Sequence, residues 1–293
     1  MFMKKNSFYL THNTYPESAK GWVDGTYYPR KEQVTHLEEE ELLKKNNYYE
    51  ISSYVWKETE ETGFGVYYYE DTRAINYKLK NANYKVRITF TNPTDMPYIS
   101  NVKVNNIEKV SEVSIKAKEE KEVTFTACIV DGLLSLKILP QYIAESVESS
   151  ECKSVFIKDI NIEELPIKKP GLKATIFLAS DSTVQTYDKA FAPQAGWGEF
   201  LIHNFLTEGE DAYSSPRPKV YESKNIIIEN HAIGGRSSKS FIEEGRFDKI
   251  LEEIKENDYV FLQFGHNDST KARPNRYVHS NDFEHYIKYY IDG

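Results

Sequence analysis

Cysteine is scarce. The 293 residues contain two, Cys128 and Cys152, at a separation that matches no zinc-ligand spacing. With no export leader ahead of them, both read as thiols rather than as a structural disulfide. Basic charge is also short: 37 Lys and Arg face 45 Asp and Glu, a net charge of −8. A phosphate backbone needs a basic surface, so no nucleic-acid partner is expected. No apolar run approaches the ~18 residues of a membrane helix, so no membrane partner is expected either. Lys4 and Lys5 stand near the amino terminus without an apolar stretch behind them, which does not read as a cleaved leader. A cytoplasmic location is the consistent reading, with secretion as the alternative. Against these absences, 40% hydrophobic residues over this length support one large or two ordinary domains with real cores.

Residues 45 to 163 carry short alternating runs between turn residues, as in Tyr84-Lys85-Val86-Arg87-Ile88-Thr89-Phe90. That alternation implies an antiparallel all-β unit with one wet face. Asp131-Gly132 lies between two such runs and predicts a hairpin, and Val155 to Ile162 supplies a further strand. The expectation is a β-sandwich of jelly-roll, galactose-binding-like type over residues 1–165. Trp22, Trp56 and Tyr67-Tyr68-Tyr69 could stack on sugar rings or simply cover half-exposed strands. His12 and His36 are isolated, and Glu38 to Glu41 reads as a solvated helix face. Leu165-Pro166 through Pro170-Gly171 reads as a linker, placed at 166–172.

From 173 onward the pattern changes. Ala174 to Ala179 is an apolar strand that breaks into Ser180-Asp181-Ser182-Thr183. Trp197, Phe200, Leu201 and Phe205 follow at helical spacing, and Asp211 to Lys224 reads as a surface excursion. Asn225 to Asn230 is a second strand, ending in His231-Ala232-Ile233-Gly234-Gly235-Arg236-Ser237. Phe247, Ile250, Leu251 and Ile254 mark an amphipathic helix, and a third strand, Tyr259 to Phe264, ends in Gly265-His266-Asn267-Asp268. The order β-α-β-α-β implies parallel strands whose polar turns share one edge, where open sheets bind ligands. There Ser182 can attack a carbonyl. The oxyanion that forms needs rigid donors, which the N–H groups of Ser182 and Gly235 and the Asn267 amide can supply. Asp181, Trp197, Arg236 and His266 are candidate substrate-lining residues. No metal or cofactor is called for.

Those three segments, with Gly196-Trp197-Gly198-Glu199, resemble the blocks of the SGNH (GDSL) hydrolases, and their spelling is most similar to the rhamnogalacturonan acetylesterase branch. The resemblance covers residues 173–293. It implies a flavodoxin-like three-layer α/β fold and a serine esterase that removes O-acetyl groups from a plant cell-wall polysaccharide or oligosaccharide. It also implies Ser182 as nucleophile, with Ser182, Gly235 and Asn267 as oxyanion donors. Members of this branch often carry an amino-terminal β-sandwich. Ser180 departs from the family, which usually has Gly there.

The family's Asp-x-x-His block has no clear counterpart. Asp282-Phe283-Glu284-His285 has the spacing, but Phe283, Ile287, Tyr290 and Ile291 recur as one helical face that leaves Asp282 and His285 on the wet side. His279 has no evident partner. The chain therefore reads as an esterase domain truncated before its acid-base pair, inactive or nearly so. The alternative from another class is a non-catalytic carbohydrate-binding protein with a degenerate hydrolase scaffold. A lipase of the same fold fits less well, because no apolar lid segment stands near the motifs.

Overall fold

Side-chain alternation governs the first part of the molecule. The structure, a computed structural model, describes residues 8–11, 35–37, 49–56, 67–69, 74–140, 153–216 and 219–293. The chain divides into two compact units, Met1–Glu163 and Glu164–Gly293. The first is built from β1 (Phe8–Thr11), β2 (Thr35–Leu37), β3 (Tyr49–Trp56), β4 (Tyr67–Tyr69), β5 (Ala74–Lys78), β6 (Ala82–Thr91), β7 (Tyr98–Val104), β8 (Ile107–Ile115), β9 (Glu120–Ile129), β10 (Leu133–Pro140) and β11 (Lys153–Glu164). One sheet runs β2-β1-β5-β10-β7-β8 and the other β4-β3-β11-β6-β9.

Every second residue of β6 (Tyr84, Val86, Ile88 and Phe90) is buried, while Lys85, Arg87 and Thr89 stay partly exposed. The core they enter draws on both sheets, with Val102 of β7, Phe125 of β9, and Leu134 and Leu136 of β10. Each such side chain stabilises by about 1.5–3 kcal/mol when fully buried. Burial therefore outweighs any single turn in deciding which strands meet.

That balance corrects the hairpin expected at Asp131-Gly132. β9 pairs with β6, and β10 pairs with β5 and β7, so this turn carries the chain from one sheet to the other. Its local chemistry is still that of a turn: Asp131 Oδ1 accepts the Leu133 N–H at 3.1 Å, and Gly132 takes φ 75°. Cys128 is buried. Cys152, His12, Trp22 and Glu38 to Glu41 lie outside the described residues, as do the side chains of His36, Trp56 and Tyr67-Tyr68-Tyr69.

The second unit is organised around β12 (Ala174–Ser180), buried along nearly its whole length. The other strands are β13 (Tyr213–Pro216), β14 (Lys219–Glu222), β15 (Ile226–Asn230) and β16 (Tyr259–Gln263), in the order β13-β14-β15-β12-β16. β12 is parallel to both β15 and β16, so the three polar turns leave the sheet at one edge. The supposed excursion at Asp211 to Lys224 is instead the β13–β14 hairpin, antiparallel to β15. Tyr221 is buried, and Pro216 is tolerated because β13 is an edge strand.

Period-two alternation gives β12 two apolar faces. Ile176 and Leu178 pack with Val184, Ile202, Tyr221 and Ile228. On that side the expected helix is replaced by 3₁₀ turns at Trp197–Glu199 and Leu201–Phe205. Three α-helices follow: α1 (Ser238–Glu243), α2 (Arg246–Glu253) and α3 (Ser280–Asp292). α2 buries Phe247, Ile250 and Leu251, as its spacing predicts. α3 turns inward with Tyr286, Tyr289 and Tyr290, and leaves Ile291 73% exposed. Its apolar face is therefore rotated from the one expected, although Asp282 and His285 do lie on the exposed side.

Tyr290 joins these elements. Its ring lies 4.5 Å from Phe247 and 5.3 Å from Phe264, centroid to centroid, and its hydroxyl donates to the Ser238 carbonyl at 2.7 Å. Burial first, then the nearby Asp268 carboxylate, push that hydroxyl well above the usual phenol value. Tyr290→Phe should keep the packing and lose about 1 kcal/mol for the missing bond. Tyr290→Ala should lose about 3–5 kcal/mol, as for other large aromatic truncations. Urea denaturation midpoints of the two variants check this ordering.

Candidate active site

Three chain segments leave the sheet side by side, and buried polar side chains fasten each to the next. At the end of β12, Ser180 Oγ donates to the Gln263 carbonyl at 2.5 Å, so the residue that departs from glycine ties this strand end to β16. Asp181 Oδ1 accepts from the Thr183 N–H and Oγ1, both at 2.9 Å. The Asp181 carbonyl accepts from Val184 and Gln185. These bonds close a tight turn with Ser182, half-buried, at its tip. Tyr187 OH donates to the Ser182 carbonyl at 3.0 Å. The Ser182 N–H and Oγ have no partner among the described residues.

The second segment continues the parallel ladder past β15, with His231 N–H donating to Leu178 O and Ile233 N–H to Ser180 O. Asn230 Nδ2 holds the first turn through Val184 O at 2.8 Å and Thr186 Oγ1 at 3.0 Å. Gly234 donates its N–H to Gln185 Oε1. A Cβ on Gly234 would lie 3.6 Å from Ser182 Cβ, ordinary van der Waals contact, so this backbone runs directly beside the serine. Gly235 adopts φ 82°, a left-handed conformation that glycine takes without a steric penalty. Its N–H has no partner among the described residues. Ser237 then caps α1 in a reciprocal capping box with Ser240.

The third segment binds the other two. Asn267 Nδ2 donates to Asp181 Oδ2 at 3.2 Å and to Arg236 O at 2.9 Å. The Asp268 carboxylate, buried, accepts from Ser238 N–H at 2.9 Å, Ser238 Oγ at 2.5 Å and Gly265 N–H at 3.0 Å. Reasoning from sequence passed over Asp268, Asn230 and Gln185, though the first two stand inside the blocks already singled out.

The candidate substrate-lining residues separate. Asp181 is 2% exposed, and its carboxylate bonds Thr183 and Asn267. It shapes the turn and does not line a surface, which corrects that expectation. Trp197 is 39% exposed, and its indole N–H reaches Gln263 Oε1 at 2.9 Å. Gln263 in turn donates to Thr183 Oγ1 at 2.6 Å. Arg236 directs Nε to Glu244 and Nη1 to Gly234 O. His266 is exposed beside Asn267.

Gly196 and Gly198 have a steric explanation. A Cβ at either would come under 3.0 Å from backbone of Val184 or Gln185, so the 3₁₀ turn lies flush on the turn that carries Ser182.

Among the described side chains, no imidazole is hydrogen-bonded to Ser182 Oγ. His279 accepts the Asn281 N–H at the start of α3, which supplies the partner its sequence context did not reveal. His231 Nε2 lies 3.3 Å from Glu229 Oε2. With Glu253 these two form a group whose ligand atoms lie within 4.8 Å of one another, close enough to hold a metal ion. Partial burial and then the Glu229 charge raise the Glu253 carboxyl, opposed by His231 and Lys168. No described helix is long and apolar enough to cross a membrane.

Residues 176–293 match the family model of the GDSL-like Lipase/Acylhydrolase family. The chain is 44% identical over 119 residues to the Probable rhamnogalacturonan acetylesterase YesY of Bacillus subtilis, covering 40% of this chain and 46% of that protein. It is 40% identical over 102 residues to the Rhamnogalacturonan acetylesterase RhgT of the same organism, covering 35% of each. It is 33% identical over 112 residues to the Rhamnogalacturonan acetylesterase of Emericella nidulans, covering 38% of this chain and 36% of that protein. The chain thus spans less than half the length of these relatives.

Two outcomes are expected. Gly198→Ala forces a methyl into the Val184 backbone and should cost about 1–3 kcal/mol, as overpacking does, readable as a lowered melting temperature. The second concerns Glu244. Partial burial raises its carboxyl, but bonds and charge from Arg246 and Arg236 outweigh this and hold it below the usual carboxylate range. A lowered folded-state value stabilises above the unfolded value, and that stabilisation is lost as pH falls through the folded one. Wild type and Glu244→Gln should therefore differ in melting temperature at neutral pH and converge in acid.

Proposed function

Because the chain carries a GDSL/SGNH lipase-acylhydrolase domain over residues 176–293, we propose that it is a serine esterase. Its substrate would be O-acetyl groups on a plant cell-wall polysaccharide or oligosaccharide of rhamnogalacturonan type. The relatives' names support this substrate class. One observation carries the mechanism: at three adjoining strand ends, the unspent polar groups are the Ser182 hydroxyl and N–H and the Gly235 N–H, with the Asn267 amide beside Asp181.

In this reading Ser182 Oγ attacks the acetyl carbonyl. The developing oxyanion is held by the N–H groups of Ser182 and Gly235 and by Asn267 Nδ2, which exchanges its long bond to Asp181 for the new charge. A fixed donor of this kind contributes about 3–4 kcal/mol to transition-state stabilisation. The serine proton passes to solvent. Collapse of the oxyanion breaks the ester C–O bond, and the sugar oxygen takes up a proton from solvent and leaves as a hydroxyl. Water then hydrolyses the acetyl-enzyme to acetate and free Ser182. We further read residues 173–293 as a flavodoxin-like three-layer domain, 166–172 as a linker, and 1–165 as a β-sandwich accessory domain.

With no imidazole on Ser182 Oγ among the described side chains, this reading leaves the base step unassisted. Loss of that base costs on the order of a million-fold in a serine hydrolase, so 4-nitrophenyl acetate turnover by this 293-residue chain should be near background. The test therefore supplies the base from solution. Prolonged incubation with a fluorophosphonate in imidazole buffer should place one adduct on Ser182, located by mass spectrometry. Asn267→Ala should slow its formation by roughly 10²-fold or more. Adducts scattered over other serines, or none, would sink the esterase reading and leave the non-catalytic glycan-binding alternative.

A further inference from the structure

We propose that Arg276 is the residue that pairs with a carboxylate on the substrate and so sets the preference of this site for an anionic acetyl ester. The inference rests on the esterase reading above and adds to it the residue that sets substrate charge.

A guanidinium has five N–H donors and matches a carboxylate edge with two of them. Arg276 makes one bond, from Nη1 to the Gly235 carbonyl at 3.4 Å, long for a hydrogen bond. Its Nε is buried and has no partner. None of the described residues offers it a carboxylate. Arg276 as a whole is half-buried, and a donor withdrawn from water without a partner is costly unless an acceptor completes it.

Its position says where that anion would sit. Nη1 lies 3.3 Å from the point a Gly235 Cβ would occupy, and the preceding Gly234 is in contact range of Ser182. The guanidinium therefore flanks the proposed oxyanion glycine. Turn bonds from Arg276 and Tyr277 to the Arg273 carbonyl hold the segment, and Val278 N–H bonds Asp268 O. Arg276 thus stands on the same scaffold as Asn267.

The surrounding charge agrees. Residues 265–279 contain Lys271, Arg273 and Arg276, and the sole carboxylate among them, Asp268, is buried and committed to Ser238 and Gly265. In a chain of net charge −8, this segment is a local positive field that would draw an anionic chain to the site. A uronate carboxylate is the anion that a pectic acetyl ester carries.

The test measures binding, so it does not depend on turnover. Trigalacturonate and its fully methyl-esterified form would be titrated into the full chain, with amide NMR shifts as the readout. Trigalacturonate should bind at least ten-fold more tightly than the ester, and Arg276→Gln should abolish the difference. Should that variant not fold, Arg276→Lys keeps the charge without the two-pronged edge and should reduce the preference several-fold. Equal binding of the two oligomers by wild type, or a preference that survives Arg276→Gln, would overturn the proposal. So would displaced Gly235 and Ser182 amide resonances in ligand-free Arg276→Gln, which would make Arg276 a prop for the loop. If Ser182 takes no fluorophosphonate while the Arg276-dependent preference persists, the carboxylate site stands and the esterase reading alone falls.

Discussion

The Asp268 carboxylate is where the second unit's two later turns become one object. It is buried and accepts three hydrogen bonds, two from the first residue of α1 and one from Gly265 at the exit of β16. A carboxylate withdrawn from water is tolerated only when such bonds replace its solvation. Since those bonds come from two separated segments, neither can drift without stranding a charge. Asn267, next in the chain, is thereby held where its amide meets both Asp181 and the Arg236 carbonyl. The positions of Gly235 and Ser182 follow from this tie together with the Asn230 contacts to Val184 and Thr186.

Around that tie the sheet acts as a jig. Parallel pairing of β12 with β15 and β16 brings three strand ends to one edge, and apolar burial on both faces fixes their spacing. The small residues at the edge serve approach rather than flexibility. Gly234 lets a backbone pass beside Ser182, and Gly196 and Gly198 let another rest on Val184 and Gln185. Side chains at Gly196 and Gly198 would separate the segments that the polar bonds draw together.

Much of this was legible in the residues. The parallel strands, and with them the three converging turns, follow from the order of the apolar runs, and α2 buries the face that its spacing marks, although β16 leaves Tyr259 and Phe261 exposed. Other features were hidden for identifiable reasons. The Asp131-Gly132 turn encodes a reversal but not a partner, and the partner was chosen by a core drawn from both sheets. The β13–β14 hairpin is short and polar, with Tyr221 buried, so it gave no periodic signal. Asp181 read as a substrate-lining residue because a single sequence does not say that Thr183 and Asn267 will consume its oxygens. Arg276 lies outside every motif, and only the arrangement in space sets it against Gly235.

The strand exchange at Asp131-Gly132 bears on how the first unit acquires its shape. Because β9 returns to β6 in a register running from Ala82 against Ile129 to Thr91 against Glu120, and β10 returns to β5, neither strand can zip onto its immediate predecessor. Loop-closure entropy must be met before these contacts repay it, the regime in which β topologies fold in roughly milliseconds to seconds. The rate of this unit is therefore governed by its wiring rather than by the quality of its turns, and strengthening Asp131-Gly132 would do little to hasten it.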